Sequence, residues 1–368
     1  MTLEMEALLH LSLINGIGSG AIFAIYKKIL NGNEWQNLYS LTILDFKAGG
    51  FSAERSERIY TGLKDFSRLE REKQLLDKHN ITLLSFWDDQ YPRSLKEIYA
   101  APALLYVKGS LPEKRCIAFV GSREANHYAR KAIEKLVPGL VEHDIAIVSG
   151  GAIGADSMAH RKALDAGGYT IVVLGSGLAR PYPFRNHLLF DEIINNEGAL
   201  ISSFAMTTDP LPGNFVARNR IIAGLSDGIV VVQARSKSGT RITAQYALDQ
   251  GKDVFAVPGL FDESLSEGCH QLIQEGAKLV QKVDDILEEY DIVKLSKING
   301  RLLSVGSPDI SSENSFEQHI ITQCQEPVSV DELAANMNIN IETLQHLLFE
   351  MQVAGKIEQN FAGLWRAM

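Results

Sequence analysis

CIAFVGSRE (116–124), IAIVSGGAIGADSMAH (145–160) and TIVVLGSG (170–177) share one pattern: a short uninterrupted apolar run, a glycine turn, then a segment of helix length. Runs that are apolar at every position fit strands buried on both faces, as in a parallel sheet whose crossovers are helices. The alternation continues through Ala199–Ser202, Ile229–Gln233, Val254–Val257 and Lys278–Val280, separated by segments such as Asn126–Glu142 and Thr240–Gln250. The fold class is therefore α/β. Residues 81–290 are expected to form an open, doubly wound, Rossmann-like domain with a short lead-in, its ligands lying beyond the carboxyl ends of the strands.

Working outward, residues 1–80 read as a helical domain. Asn15-Gly16-Ile17-Gly18-Ser19-Gly20 joins two apolar helices in the layout of a helix-hairpin-helix unit, or of a plain turn in a helical domain. A short strand, Ile81–Phe86, follows. Residues 291–315, rich in Ser, Gly and Asn, read as a linker. Residues 316–368 read as a winged helix: helices Phe316–Cys324, Ser329–Met337 (Ser329 and Glu332 forming a capping box) and Ile341–Ala354, then a hairpin.

The 368 residues carry a net charge of −9, which argues against nonspecific coating of a polyanion over the whole surface. A local basic site remains open: Pro210–Tyr246 holds Arg218, Arg220, Arg235, Lys237 and Arg241 against the single acid Asp227. The winged-helix stretch is the reverse, with seven acids, only Lys356 and Arg366 as bases, and no Lys or Arg in Ile341–Ala354. It is expected to serve as a protein-contact or regulatory module. No apolar run is long enough to span a bilayer, and Glu4 and Glu6 stand where a secretory leader needs bases. Cys116, Cys269 and Cys324 have no metal spacing and read as packing residues in a reducing cytoplasm.

The chemistry sits in the predicted strand-end loops. These are Gly121-Ser122-Arg123, the run from Ser149 to Asp156 with Gly150, Gly151 and Gly154, Gly175-Ser176-Gly177 with Pro181–Asn186 (including Arg185 and Asn186), Arg218-Asn219-Arg220, and Ser236–Arg241 with Lys237, Ser238, Gly239 and Thr240. Glycines let backbone amides approach a phosphate, and helix N-termini add partial positive charge. One such loop can be a packing turn; a row of them on one sheet edge, interleaved with arginines, suits a row of phosphates. A dinucleotide cofactor fits poorly, since no G-x-G-x-x-G follows the first strand, and Walker A is absent. No cofactor and no metal are expected. Asp156 and His160, four apart on one helix, read as a brace for the loop and a packed core histidine. Tyr182 and Phe184 read either as base-stacking or as packing residues.

Taken together, FVGSREAN (119–126), SGGAIGADSMAH (149–160), VLGSGLARPYPFRNHLLF (173–190), RNRIIAGLSDGIVVVQA (218–234), SGTRITAQYAL (238–248), VFAVPG (254–259) and LIQEGAKLV (272–280) resemble the DprA/Smf family of bacterial DNA-processing proteins. The resemblance implies a SAM-like N-terminal domain, single-stranded DNA binding, protection of incoming strands in natural transformation, loading of the recombinase RecA, and a homodimer through the Rossmann-like domain, without enzymatic turnover and without a membrane. It implies DNA contacts from Arg123, from the basic residue of the loop Tyr182–Asn186, and from the RNR and SGT loops. The chain departs from the family pattern at Phe184, where a base often directly follows the proline and Arg185 comes next, and at Ser203, Gln233 and Val216-Ala217. The alternative from another class is a nucleotide-processing enzyme resembling a phosphoribohydrolase, built on the Ser149–Asp156 loop.

Overall fold

The computed structural model describes residues 1–30, 35–290, 320–325, 328–337, 344, 348, 351–352, 356–359 and 364–367. The chain divides into two compact units, Met1–Val293 and Lys294–Met368. Among the described residues the first unit contains one sheet of nine strands: β1 (Thr82–Ser85), β2 (Leu104–Gly109), β3 (Cys116–Val120), β4 (Ala146–Ser149), β5 (Thr170–Val173), β6 (Ala199–Ser202), β7 (Gly228–Val231), β8 (Asp253–Ala256) and β9 (Lys278–Leu279). Their order is β1-β2-β6-β5-β4-β3-β7-β8-β9. The strands from β3 to β9 are mutually parallel, while β2 pairs antiparallel with both β1 and β6.

The seven parallel strands lie where the apolar runs place them. β2 is additional: the sequence reading has no strand at Leu104–Gly109, and its insertion between β1 and β6 gives the sheet an antiparallel flank. Strand order reverses between β3 and β7, so the crevice of the doubly wound fold opens beyond Val120 and Val231.

Successive side chains of a strand point to opposite faces, and the core follows that period. Ile117 and Phe119 of β3 pack with Ile133, Val137 and Leu140 of the helix His127–Glu142. Ala118 and Val120 point the other way, into a core shared with Ile221 and Ile222 of the helix Pro212–Leu225 and Ala244 of the helix Gly239–Asp249. Burying both faces is what makes the middle positions of these strands apolar, with Ser149, Thr170 and Ser202 only at strand ends; each fully buried Leu, Ile or Phe contributes roughly 1.5–3 kcal/mol.

The helices of residues 1–80 share a continuous core with the sheet. Leu8, Ile14, Ile25, Leu38 and Leu69 cluster with Leu104, Tyr106, Val172, Leu200 and Phe190. The glycine turn between the helices Leu3–Ser12 and Ser19–Lys28 is engaged within the protein: Gly16 O accepts from Arg55 at 3.1 Å, Asn15 Oδ1 from Arg68 at 3.1 Å, and Ser19 Oγ from the amide of Ala103 at 3.1 Å. Deeper in the junction, buried Glu72 accepts the amide of Met206 at 2.7 Å. Burial raises its carboxyl above the usual glutamate range, against the pull of the Met206 amide and the Tyr106 hydroxyl.

In the second unit, the helix Val330–Met337 opens on the expected capping box, Glu332 N donating to Ser329 Oγ at 3.2 Å and Ser329 N to Glu332 Oε2 at 3.2 Å. Ile357–Gln359 pairs antiparallel with Trp365–Ala367, and Arg366 is ion-paired with Glu358 across that hairpin. The linker 291–315, the start of the helix read at Phe316–Cys324 (residues 316–319) and most of the helix read at Ile341–Ala354 lie outside the described residues. Among the described residues, no helix is long and apolar enough to cross a membrane. Cys116, Cys269 and Cys324 are buried free thiols.

Glu72 yields a prediction with a defined sign. A carboxyl that ionises less readily in the folded state binds its proton more tightly there, so its contribution to stability falls as pH rises above the unfolded glutamate range. Thermal melts between about pH 4 and about pH 7 should show this downward contribution in the wild type relative to Glu72→Gln. Parallel pH profiles for the two proteins would refute it.

Candidate functional site

Because β3 to β8 are parallel, the loops that follow them emerge on one edge. The turn after β3 is held by the turn after β7: Ser122 N donates to Gln233 O at 2.7 Å, and Asn126 N to Gln233 Oε1 at 3.1 Å, while Gln233 Nε2 returns a bond to Asn126 Oδ1 at 3.0 Å. An amide can both give and accept in this pair; a carboxylate could only accept. Gln233 thus completes an interlock that needs both a donor and an acceptor on one side chain.

The loop after β4 needs its glycines. Gly151 has φ +67° and Gly154 φ +92°, and a Cβ on Gly154 would lie 2.4 Å from the carbonyl oxygen of Ser122. Asp156 braces this loop from within, its Oδ2 accepting from Gly150 N at 3.1 Å and Ala152 N at 3.2 Å. Asn186 braces it from outside, Nδ2 donating to Gly151 O at 2.9 Å. Burial raises the Asp156 carboxyl, opposed chiefly by the Arg218 guanidinium. His160 is fully buried beneath. Thr170 Oγ1 gives its single proton to Ile147 O (2.7 Å), so at the 2.7 Å contact between His160 Nδ1 and Thr170 Oγ1 the ring nitrogen donates. Burial, helped by Arg218, pushes the His160 pKa down to about 3, so the ring is a neutral packing element. Both residues take the structural roles expected of them.

Arg218 differs from the expectation. It is 5% exposed, and its Nη1 donates to Gly150 O at 2.6 Å and to Val173 O. Burial lowers its pKa to about 10, with Asp156 opposing, so it keeps its charge at neutral pH. Arg218 is a brace across the ends of β4 and β5 and the floor of the site, rather than an exposed contact. The grouping of Arg218-Asn219-Arg220 as one strand-end loop is also corrected, because all three lie inside the helix Pro212–Leu225. Residues two apart on a helix diverge by roughly 200°. Arg218 therefore faces the strand ends, with Asn219 Oδ1 accepting from its Nε at 3.1 Å, while Arg220 faces Tyr91 and Tyr246.

Phe215, three residues before Arg218, is the residue that sequence reading missed. Its ring lies 5.7 Å from the guanidinium carbon of Arg123, 6.0 Å from that of Arg218, and 5.8 Å from the ring of Tyr182. The signal was its i, i+3 spacing from Arg218, informative only once that segment is known to be helical. With Arg123, Gly150, Ala152, Ile153, Tyr182, Pro183 and Arg218, Phe215 lines a cleft of ≈ 50 Å³.

The edge that carries the cleft has an exposed rim formed by Arg123, at the cleft itself, and by Arg185 and Lys237 on other strand-end loops, none with a carboxylate partner among the described residues. Their basic neighbours are engaged: Arg180 pairs with Asp209, Arg235 with Glu124, and Arg241 with Glu275. Phe184 is 77% exposed and stacks on His187, with ring centroids 4.9 Å apart. Ser238, at the start of the helix Gly239–Asp249, has a buried hydroxyl without a partner among the described residues; Gly239 meets nothing within 4 Å of an added Cβ, and Thr240 is buried. Contacts thus join Gly121, Ser122, Arg123, Gly150, Gly151, Gly154, Asn186 and Arg218 into one locus, with Arg185, Lys237 and Ser238 on loops of the same edge.

Residues 82–291 match the family described as DNA recombination-mediator protein A. The chain is 45% identical over 231 residues to DNA processing protein DprA of Streptococcus pneumoniae, covering 61% of this chain and 81% of that protein. It is 35% identical over 313 residues to protein Smf of Escherichia coli, covering 84% of this chain and 83% of that one. The crystal structure of DprA from Streptococcus pneumoniae superposes with a TM-score of 0.68 at 38% identity, covering 78% of this chain and 98% of that one. A DNA processing protein A from Helicobacter pylori, whose structure concerns its single-stranded DNA binding mode, gives a TM-score of 0.52 at 28% identity, covering 57% of this chain and 95% of that one.

Two outcomes follow from this geometry. Arg218→Ala leaves two buried carbonyls without donors and Asp156 without its counter-charge, and should cost about 3–5 kcal/mol of unfolding free energy, measured by urea denaturation; Arg218→Lys should recover only part of it. His160 should titrate as a neutral ring with the proton on Nδ1 down to about pH 5, read from nitrogen chemical shifts. A doubly protonated ring at that pH contradicts the burial.

Proposed function

This chain belongs to the DNA recombination-mediator protein A family, and from that premise we propose that its strand-end rim binds the backbone of single-stranded DNA. The observation that supports this best is the contrast on that edge: Arg123, Arg185 and Lys237 are exposed and unpaired among the described residues, around a floor that keeps Arg218 charged. A polyanion replaces the carboxylates these cations lack, and exposed Phe184 and Tyr182 offer surfaces on which unpaired bases stack. The cleft between Arg123 and Arg218, ≈ 50 Å³, is far below the roughly 300–1,000 Å³ of an enclosing small-molecule site. That supports a surface track rather than a nucleotide-processing centre, and a function by binding rather than turnover.

In this reading the protein protects incoming strands during natural transformation, in the cytoplasm, and passes them to RecA; the family supplies that part. It works as a homodimer through the Rossmann-like domain. Support for a second copy comes from the sheet edge, where β9 ends the strand order with Leu279 42% exposed and the loop after β8 presents Leu260 and Phe261, 68% and 90% exposed.

Salt titrations with single- and double-stranded oligonucleotides test the core of the proposal. Arg123→Ala should weaken binding across sequences and reduce the slope of log K against log salt by about 0.7. Phe184→Ala should cost about 1–3 kcal/mol while leaving the slope unchanged. An unaltered slope in Arg123→Ala removes the rim assignment, and turnover of a nucleotide by the wild type removes the non-enzymatic reading.

A further inference from the structure

The helix His127–Glu142 begins four residues after Arg123 and has its charges the wrong way round for a helix. Its first turn holds no acid and its last turn no base, while Arg130, Lys131 and Lys135 lie in its first nine residues against the single exposed acid Glu134, and Glu142 is its last. The helix macrodipole favours acids at the start and bases at the end, so the fold itself gives no electrostatic reason for this order. Packing gives none either: the buried positions are Ala129, Ile133, Leu136, Val137 and Leu140, whereas His127, Arg130, Lys131 and Lys135 are exposed. Among the described residues, none of these four has an ion-pair partner, in contrast to Arg161 on the next helix, which pairs with Glu192.

Lys131 and Lys135 follow His127 at intervals of four, which places them on one line along the outer face, about 6 Å of helix axis apart. The line starts at the rim, because Asn126, the N-cap of this helix, is locked to Gln233 beside the Arg123 turn.

We propose that this outer face, carried by Lys131 and Lys135, is a second track for a nucleic-acid backbone that continues the strand from the rim away from the sheet edge. The inference rests on the single-strand reading above and extends it: the rim holds a short segment, and the helix adds affinity only for strands long enough to reach along it. Lysine side chains contact phosphates without reading bases, so the added affinity is independent of sequence.

The test uses the full chain and anisotropy titrations with oligothymidylates of about 6 and about 20 nucleotides over a salt series. The double variant Lys131→Glu, Lys135→Glu alters two exposed side chains and should bind the short strand within about twofold of wild type. It should bind the long strand at least about tenfold more weakly, with a slope lower by about 1.4, two lost contacts at about 0.7 each. Arg123→Ala should weaken both lengths. Unchanged binding of the long strand, or equal losses on both lengths, overturns the track while leaving the rim standing. A wild type that binds neither length refutes the single-strand reading itself, and the track with it.

Discussion

The carbonyls of Gly150 and Val173, at the ends of adjacent strands β4 and β5, converge on one buried guanidinium, that of Arg218. Taking a charge out of water is costly unless it is well bonded, and here the two carbonyls and nearby Asp156 compensate it. Asp156 in turn accepts the amides of Gly150 and Ala152. The strand-end loop is therefore set by a closed group of buried polar partners, and the exposed groups of the rim are mounted on it: Asn186 ties the aromatic loop to Gly151, and the Phe215 ring lies between the guanidinium groups of Arg123 and Arg218.

The same edge shows why counting bases overstates a basic surface. Of the five cations between Pro210 and Tyr246, Arg218 is buried, Arg220 faces two tyrosines, and Arg235 and Arg241 are ion-paired; Lys237 is exposed. The effective charge facing solvent is smaller and more localised than the linear run suggests, and its cations come from three loops distant in sequence. Nonspecific binding elsewhere on the surface is disfavoured by the net charge of −9.

The N-terminal helices contribute by covering the sheet. Val172 and Leu200, on strands close to the site, are buried by the cluster that contains Leu8, Ile14 and Leu69, and the carboxylate of Glu72 anchors Met206 in the loop after β6. The glycine turn between the first helices has its own partners in Arg55, Arg68 and the Ala103 amide, which accounts for it as part of the packing between helices and sheet.

The parallel strands, helices such as His127–Glu142 and Gly239–Asp249, and the edge on which the glycine loops emerge were legible in the amino-acid order. Strands buried on both faces must be apolar in their middles, and turns such as Gly154 leave no room for a Cβ. The brace of Asp156, four residues from His160, was legible too, because helical spacing is local information. Beyond local periodicity the sequence is silent. Leu104–Gly109 joins the sheet only because β1 and β6 offer their edges. Arg218 and Arg220, two residues apart, part company only because their segment is helical. Arg123 keeps an exposed charge while nearby Arg235 is paired, because one neighbour, Glu124, turns toward Arg235. Which arginine is buried, paired or left for a ligand depends on what surrounds it in three dimensions, and only the tertiary structure decides that.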